Sequence, residues 1–338
     1  MQPSCPLSLV ACPLPLLDAP SPISRLAPSP TGAQHLGNAR TYLIAWLSAR
    51  SRNGEVRLRI EDIDSPRVKP GAAEQALDDL RWLGLDWDGD PIVQTARLPH
   101  YESALESLKQ QELVYPCTCS RTDIANAASA PHAEHEGPVY PGTCSHRRAS
   151  DCSAPFAQGR PYAWRFRIGK SPSFTDLFAG EQQIDLQQLG GDFVIWKNAG
   201  TPAYQLAVVV DDAAMGITEV IRGDDLLPST PRQLVLYSAI GLTPPAFAHI
   251  PLVVGEDGRR LAKRHGDTRL ATLREAGVRA EAVVGLLAWS CGWIEKPEPI
   301  AAKELLPVFQ LAAIPKQPFV LTAQLLEGIG YDGVVPGS

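Results

Sequence analysis

Residues 27–38 read Ala27-Pro28-Ser29-Pro30-Thr31-Gly32-Ala33-Gln34-His35-Leu36-Gly37-Asn38. Prolines and a glycine stiffen this turn, which ends in His-x-Gly just before the amphipathic run Ala39 to Arg50. A loop that opens onto a helix start presents free backbone N–H groups and the positive end of the helix dipole, where a phosphate can sit. His35 adds a donor without a fixed charge, and Gly37 lets a ligand approach the backbone closely. The arrangement suits a nucleoside triphosphate. It is not a Walker loop, because GxxxxGK[ST] does not occur in the chain.

A second element supports that reading. Gly258-Arg259-Arg260-Leu261-Ala262-Lys263-Arg264-His265-Gly266 is a glycine-bracketed basic loop after the apolar run Ile250 to Val254. A basic loop of this kind suits a polyphosphate whose charge shifts during reaction. Taken alone it would more often be a solvated turn; the His-x-Gly turn upstream reverses that preference.

These two segments resemble the HIGH and KMSKS signatures of class I aminoacyl-tRNA synthetases. Three further stretches narrow the resemblance to the catalytic half of glutamyl-tRNA synthetases. They are Arg25-Leu26-Ala27-Pro28-Ser29-Pro30-Thr31-Gly32, Arg59-Ile60-Glu61-Asp62-Ile63-Asp64 and Glu219-Val220-Ile221-Arg222-Gly223-Asp224-Asp225. The similarity runs from about Ser24 to about Leu273. Asn38 stands where the HIGH pattern ends in His. Arg260 replaces the first Lys of the second pattern and Ala262 its Ser, while Lys263 is retained. Asn38 still donates hydrogen bonds but carries no charge. The lost hydroxyl is worth ~1 kcal/mol of transition-state contact.

The resemblance implies an α/β fold, a Rossmann-like doubly wound catalytic domain with a zinc-bearing insertion and a short helical C-terminal region. Strand–helix alternation points the same way. Ser24–Ala27 and Val56–Ile60 read as strands, with a helix from about Gly37 to Arg50 between them. Pro70 opens the next helix, which Gly84 stops, and Leu98, Tyr101, Leu105 and Leu108 mark another. Val114 to about Pro161, rich in Cys, His, Pro, Ser and Ala, breaks the rhythm, and Tyr162–Asp192 reads as short antiparallel strands. Tyr204 to Val210 reads as a strand ending at Asp211-Asp212, and Ile217–Ile221 as another. Thr230 is expected to cap a helix that starts with Pro231 and ends before Gly241. The expected division is a disordered extension over 1–22, catalytic halves over 23–113 and 193–258, the insertion over 114–192, and the basic loop with a helical tail over 259–338.

Composition bounds the rest. The chain has 338 residues, 44% apolar and 20% charged, with net charge −6. That is ordinary for a globular protein and argues against indiscriminate nucleic-acid binding. One basic concentration stands out, from Arg259 through Arg279. No apolar run is long enough to span a membrane. Seven cysteines without a regular framework, and no Asn-x-Ser/Thr site, fit a reducing cytoplasm. Gly328-Ile-Gly330-Tyr-Asp-Gly333 fits GxGxxG but has no room for a following helix, so a dinucleotide site there is rejected.

Activating glutamate requires two donors or cations for its two carboxylates, an acid for its ammonium, and contacts that orient ATP. Arg25, Arg222 and Glu61 are of those types, and Tyr204 adds a phenol. By resemblance these four, with Leu26, Ala27, Pro28 and Ser29, match the family's glutamate pocket; which arginine takes which carboxylate stays open. Singly, each has a plainer reading: a surface Arg25, a Glu61 paired with Arg57 or Arg59, a Tyr204 in strand packing. His35, Gly37, Asn38 and Lys263 match the ATP-handling positions, with His35, Asn38 and Lys263 catalytic, and Mg²⁺ is expected to bridge the phosphates.

In the insertion, Cys117-Thr-Cys119 and Tyr140-Pro-Gly-Thr-Cys144 offer three thiols and a phenol. Without CxxC pairs, spacing alone leaves free thiols as an equal alternative. The pattern resembles the zinc site of a short glutamyl-synthetase paralogue, which implies one structural Zn²⁺ on Cys117, Cys119, Tyr140 and Cys144. His146 or Cys152 could stand in for the tyrosine. Only 74 residues follow Arg264, too few for the large helical anticodon-binding region of a full-length enzyme. The chain therefore resembles the short paralogues that attach glutamate to queuosine at the wobble position of tRNA(Asp). Implied partners are ATP, L-glutamate and that tRNA, with a monomer expected and no membrane. Rival readings are a reduced enzyme charging the 3′ end of tRNA(Glu) and a non-catalytic RNA-binding module.

Overall fold

The computed structural model describes residues 21–63, 68–120, 122–124, 139–152, 161–261 and 268–333. Its first half alternates as the sequence predicts through β1 (Ile23–Leu26), α1 (Leu36–Arg50), β2 (Glu55–Ile60) and α2 (Ala72–Trp82), and adds a short strand the sequence did not suggest, β3 (Ile92–Val93). These strands pair in parallel in the order β1-β2-β3, with Arg25 level with Arg57 and Arg59 level with Ile92. Helix α1 is capped by the His35 side chain, and Leu43, Trp46 and Leu47 are among the many residues it buries. Next comes α3 (Leu98–Gln110).

The interrupting region supplies β4 (Val114–Cys117), β5 (Ala163–Phe166), β6 (Ser173–Asp176), β7 (Gly180–Gln183) and β8 (Phe193–Trp196). Strands β4-β5-β8 form one antiparallel sheet, and β6-β7 a separate hairpin. The α/β rhythm returns with α4 (Tyr204–Ala214), β9 (Glu219–Gly223), α5 (Ser229–Ile240) and β10 (Ala246–Ile250). β9 and β10 pair in parallel with Arg222 opposite His249.

β9 meets the free edge of β1. Thr218 N–H donates to Ile23 O at 2.9 Å, after which the two strands separate and the Arg25 guanidinium bridges to Ile221 O at 3.2 Å. The spatial order β3-β2-β1-β9-β10 thus reverses its progression between β1 and β9. Such a switch point is where α/β sheets place ligands. One apolar core joins α1 to the C-terminal region; the other lies among α3, α4, α5 and the antiparallel sheet. The last stretch holds β11 (Val253–Val254), α6 (Leu270–Glu275), α7 (Ala280–Ser290), β12 (Phe319–Val320) and α8 (Ala323–Gly328). Among the described residues no helix is long and apolar enough to cross a membrane.

Four local expectations are corrected. Tyr204–Val210 is the start of helix α4, not a strand. Its Val-Val-Val run suits a strand by propensity, but burial of Leu206, Ala207 and Val209 against helices overrides it. Pro202 before it and Gly216, at φ +68°, after it were the helix start and stop signals. Thr230 lies inside α5 and its hydroxyl accepts from Arg222 rather than capping the helix. The tail is not only helical, since β12 pairs with β11. Finally, Pro22 is buried and its carbonyl accepts from Glu55 N–H at 2.9 Å, so the expected extension does not reach residue 22. Residues 1–20 lie outside the described residues.

Arg40, 1% exposed, ties α1 to the C-terminal region. It donates to Pro251 O at 2.7 Å, Ser290 Oγ at 3.0 Å and Ser290 O at 3.4 Å. Arg40→Ala leaves those acceptors unpaired and opens a cavity, so it should cost about 3 kcal/mol in urea unfolding.

Candidate active site

His35 adopts extended backbone at the N-cap of α1. Its Nδ1 accepts from Gly37 N–H at 3.1 Å, and Asn38 Oδ1 accepts from His35 N–H at 3.1 Å. An Nδ1 that accepts leaves the ring proton on Nε2, so neutral His35 offers one outward donor. Burial lowers its pKa and favours that neutral form. The oxygen of Asn38 is spent on the cap, which leaves its amide N–H groups for a ligand. Leu36 N–H donates to Thr268 O, and Leu270 N–H to Gln34 O, at 3.1 and 2.9 Å. The chain leaving the basic loop is thereby fastened beside the His-x-Gly turn.

The cavity of about 430 Å³ at the switch point is lined by Arg25, Ala27, His35, Gly37, Asn38, Glu61, Tyr204 and Arg222. Eight of the expected site residues therefore share one cavity. Beneath it lies a buried charge network. Arg59, with a fully buried side chain, donates to Glu61 Oε1 at 2.8 Å and to Asp212 Oδ1 at 2.5 Å, and Arg25 Nε lies 3.7 Å from the same Asp212 oxygen. Burial alone would lower the Arg59 pKa, but the two carboxylates more than offset this and hold it above the usual arginine value. Arg222 is 4% exposed and, among the described residues, forms no direct ion pair. A buried guanidinium of this kind is a strong receptor for a carboxylate.

Residues 23–326 match the family of class I tRNA synthetases (E and Q), catalytic domain. The chain belongs to this family. It is a ligase with the expected class I catalytic fold, and within the family it is similar over most of its length to proteins named glutamyl-Q tRNA(Asp) synthetase. It is 56% identical over 284 residues to the glutamyl-Q tRNA(Asp) synthetase of Rhodopirellula baltica, covering 80% of this chain and 85% of that one. It is 50% identical over 315 residues to the same-named protein of Symbiobacterium thermophilum, covering 90% and 97%. The crystal structure of glutamate-tRNA synthetase from Elizabethkingia anophelis superposes with TM-score 0.77 at 28% identity, covering 91% of this chain and 70% of that one.

Not every expected residue of the synthetase faces the cavity. Leu26 is fully buried in the core, and Pro28 and Ser29 act from behind. Pro28 O accepts from Glu61 N–H at 3.0 Å, and Ser29 Oγ donates to Glu61 O at 3.3 Å, so this segment braces Glu61 instead of lining the cavity. Lys263 and Ala262 lie outside the described residues, whereas Arg260 lines the cavity mouth and pairs with Asp225. Sequence reading missed Arg59, Asp212 and Asp225 as parts of the site. A second arginine in β2, two residues before Glu61, and an Asp-Asp pair closing an apolar run were the available signals.

In the interrupting region the Sγ atoms of Cys117, Cys119 and Cys144 lie within 4.8 Å of one another, and Cys119 and Cys144 are 3.6 Å apart. Tetrahedral zinc–thiolate bonds would separate sulfurs by about 3.8 Å, so the cluster is compatible with zinc. Tyr140 Oη sits 3.5 Å from Cys117 Sγ and accepts from Cys144 N–H at 2.8 Å. His146 is exposed and outside this group, and the Cys152 side chain lies outside the described residues.

Gly37 has a role besides ligand approach: it leaves room for the capping ring. A Cβ there would stand 3.0 Å from Cε1 and 3.1 Å from Nδ1 of the capping His35 ring. Gly37→Ala should displace that ring and lower the rate of ATP–pyrophosphate exchange about tenfold, chiefly through a raised KM for ATP.

Proposed function

We propose that this ligase activates L-glutamate with ATP, without needing tRNA, and transfers the glutamyl group to the cyclopentene-diol of queuosine in tRNA(Asp). The observation that carries the first half is the convergence of Arg25, Glu61, Tyr204 and Arg222 on a cavity continuous with His35, Gly37 and Asn38. Arg25 and Arg222 receive the two carboxylates of glutamate. Glu61, engaged by Arg59 through one oxygen only, receives its ammonium. His35 Nε2–H and the Asn38 amide orient the ATP phosphates at the positive end of the α1 dipole, joined by Lys263, and Mg²⁺ bound with ATP would neutralise their charge. Attack of a glutamate carboxylate oxygen on the α-phosphorus expels pyrophosphate and leaves a mixed anhydride. A queuosine hydroxyl then attacks its carbonyl and releases AMP, a step that needs positioning more than a protein nucleophile.

The choice of acceptor is supported by the near full-length match to relatives named glutamyl-Q tRNA(Asp) synthetase. The division into catalytic halves at 23–113 and 193–258, an insertion and a C-terminal region is part of the same proposal. So is a structural zinc on Cys117, Cys119 and Cys144, with Tyr140 as the fourth ligand.

Labelled glutamate should appear on queuosine-bearing tRNA(Asp) and not on tRNA(Asp) lacking the base; label on tRNA(Glu) alone would refute the acceptor. Arg222→Ala should lower ATP–pyrophosphate exchange at least ~100-fold, the cost of leaving a carboxylate unpaired. Cys117→Ser should cut zinc from about one per chain to near none and lower the melting temperature; unchanged zinc content would sink the metal assignment.

A further inference from the structure

Nothing in the sequence marks Asp176, Thr230 or His249 as part of the site, yet all three are buried around Arg222. The β9–β10 register sets Arg222 beside His249, on the same face of neighbouring strands. Arg222 Nε lies 2.9 Å from His249 Nε2, and Arg222 Nη2 lies 2.9 Å from Thr230 Oγ1. A guanidinium only donates, so His249 Nε2 must accept and the imidazole proton must sit on Nδ1. Asp176 Oδ2 takes that proton's hydrogen bond at 2.6 Å. The other carboxylate oxygen is fixed by backbone N–H groups of Phe178, Ala179 and His249 at 3.0, 2.8 and 3.1 Å. The Phe247 ring stacks on His249 and lies 5.1 Å from the Arg222 guanidinium.

We propose that Asp176, His249 and Thr230 are positioning residues that set Arg222 to receive a glutamate carboxylate. This rests on the reading that Arg222 binds glutamate. The chain runs carboxylate, imidazole, guanidinium. Asp176 supplies countercharge across the ring without touching Arg222, so no protein carboxylate competes directly with the substrate for the guanidinium. Two of the Arg222 donors are spent on His249 and Thr230, which fixes the plane of the fork, and the rest of the fork faces Tyr204 and the cavity. Burial lowers the His249 pKa against the opposing pull of Asp176, which agrees with a neutral ring. Asp176 ends β6 in the interrupting region, and Leu177 N–H donates to Phe247 O at 2.8 Å. The hairpin outside the α/β sheet thus contributes to amino-acid recognition within it.

The test is ATP–pyrophosphate exchange with separate KM values for glutamate and ATP, on variants whose melting temperatures are recorded. Asp176→Asn keeps the side-chain shape. Its amide oxygen can hold the backbone N–H groups, which turns the amide nitrogen toward His249 Nδ1. That drives the ring proton to Nε2, against Arg222. Thr230→Val removes one acceptor from Arg222 at equal volume. Each should raise the glutamate KM about tenfold or more with the ATP KM changed less than about twofold, and Thr230→Ser should restore it. Glutamate KM values within about twofold of wild type in both variants, with Arg222→Ala still defective, would overturn the positioning role alone. An unchanged glutamate KM in Arg222→Ala would overturn the pocket assignment beneath it. Nitrogen chemical shifts of the wild-type enzyme near pH 7 give an answer that does not depend on any variant folding: His249 should be neutral with its proton on Nδ1, and a proton on Nε2 would refute the proposal.

Discussion

A guanidinium removed from water is tolerable only where carboxylates meet it, and Arg59 imposes that condition at the centre of the molecule. Its fully buried side chain lies between Glu61, two residues along the same chain, and Asp212, reached from helix α4. Satisfying Arg59 therefore fixes the start of the loop after β2 and the rotation of α4 about its axis. Asp212 in turn sits near Arg25 of β1, while its neighbour Asp211 accepts from Gln94, Arg97 and Tyr101 at 2.6 to 2.8 Å. Breaking one member would leave several charges buried without partners. Such a network supports the site by holding its residues in one geometry more than by adding net stability.

Placed on that base, the cavity has two chemically different ends. At one, His35 and Asn38 use one polar atom each to cap α1 and keep donors for a ligand. At the other, Arg25, Arg222 and Glu61 present both signs of charge in a buried setting, where electrostatic selection is strongest. The switch point between β1 and β9 brings the ends together. Separation of those strands opens space, and Arg25 bonds the Ile221 carbonyl that an unbroken ladder would have satisfied.

Much of the α/β half is legible in the sequence, because its strands and helices carry local signals. Val56, Leu58 and Ile60 alternate in β2, and Gly241 ends α5 in the left-handed conformation at φ +74°. Reading failed where distant contacts outweighed local preference. Val208, Val209 and Val210 favour a strand, but the helix buries Leu206 and Val209 and pairs Asp211 and Asp212 at the same time. Thr230 looked like a cap because hydroxyls commonly serve that role at a helix start. Its use by Arg222, eight residues earlier on β9, depends on how the chain folds back between that strand and α5, which no local pattern encodes.

The sequence alone determined which residue types are offered for the proposed chemistry: the His-x-Gly turn, Glu61 with its neighbouring arginine, Arg222 in its acidic-flanked strand, and the Cys-x-Cys with Tyr-x-x-x-Cys. Those are short-range patterns, and short-range patterns are written in spacing. Tertiary structure decided which of these residues face the cavity and which support it from behind. Leu26 joins the core, Ser29 braces Glu61, and Asp176 reaches Arg222 through His249 from a hairpin about 45 residues away in sequence. Burial makes the difference. A polar group removed from water must find its partner wherever the fold brings one, and that partner's place in the chain carries no local signature.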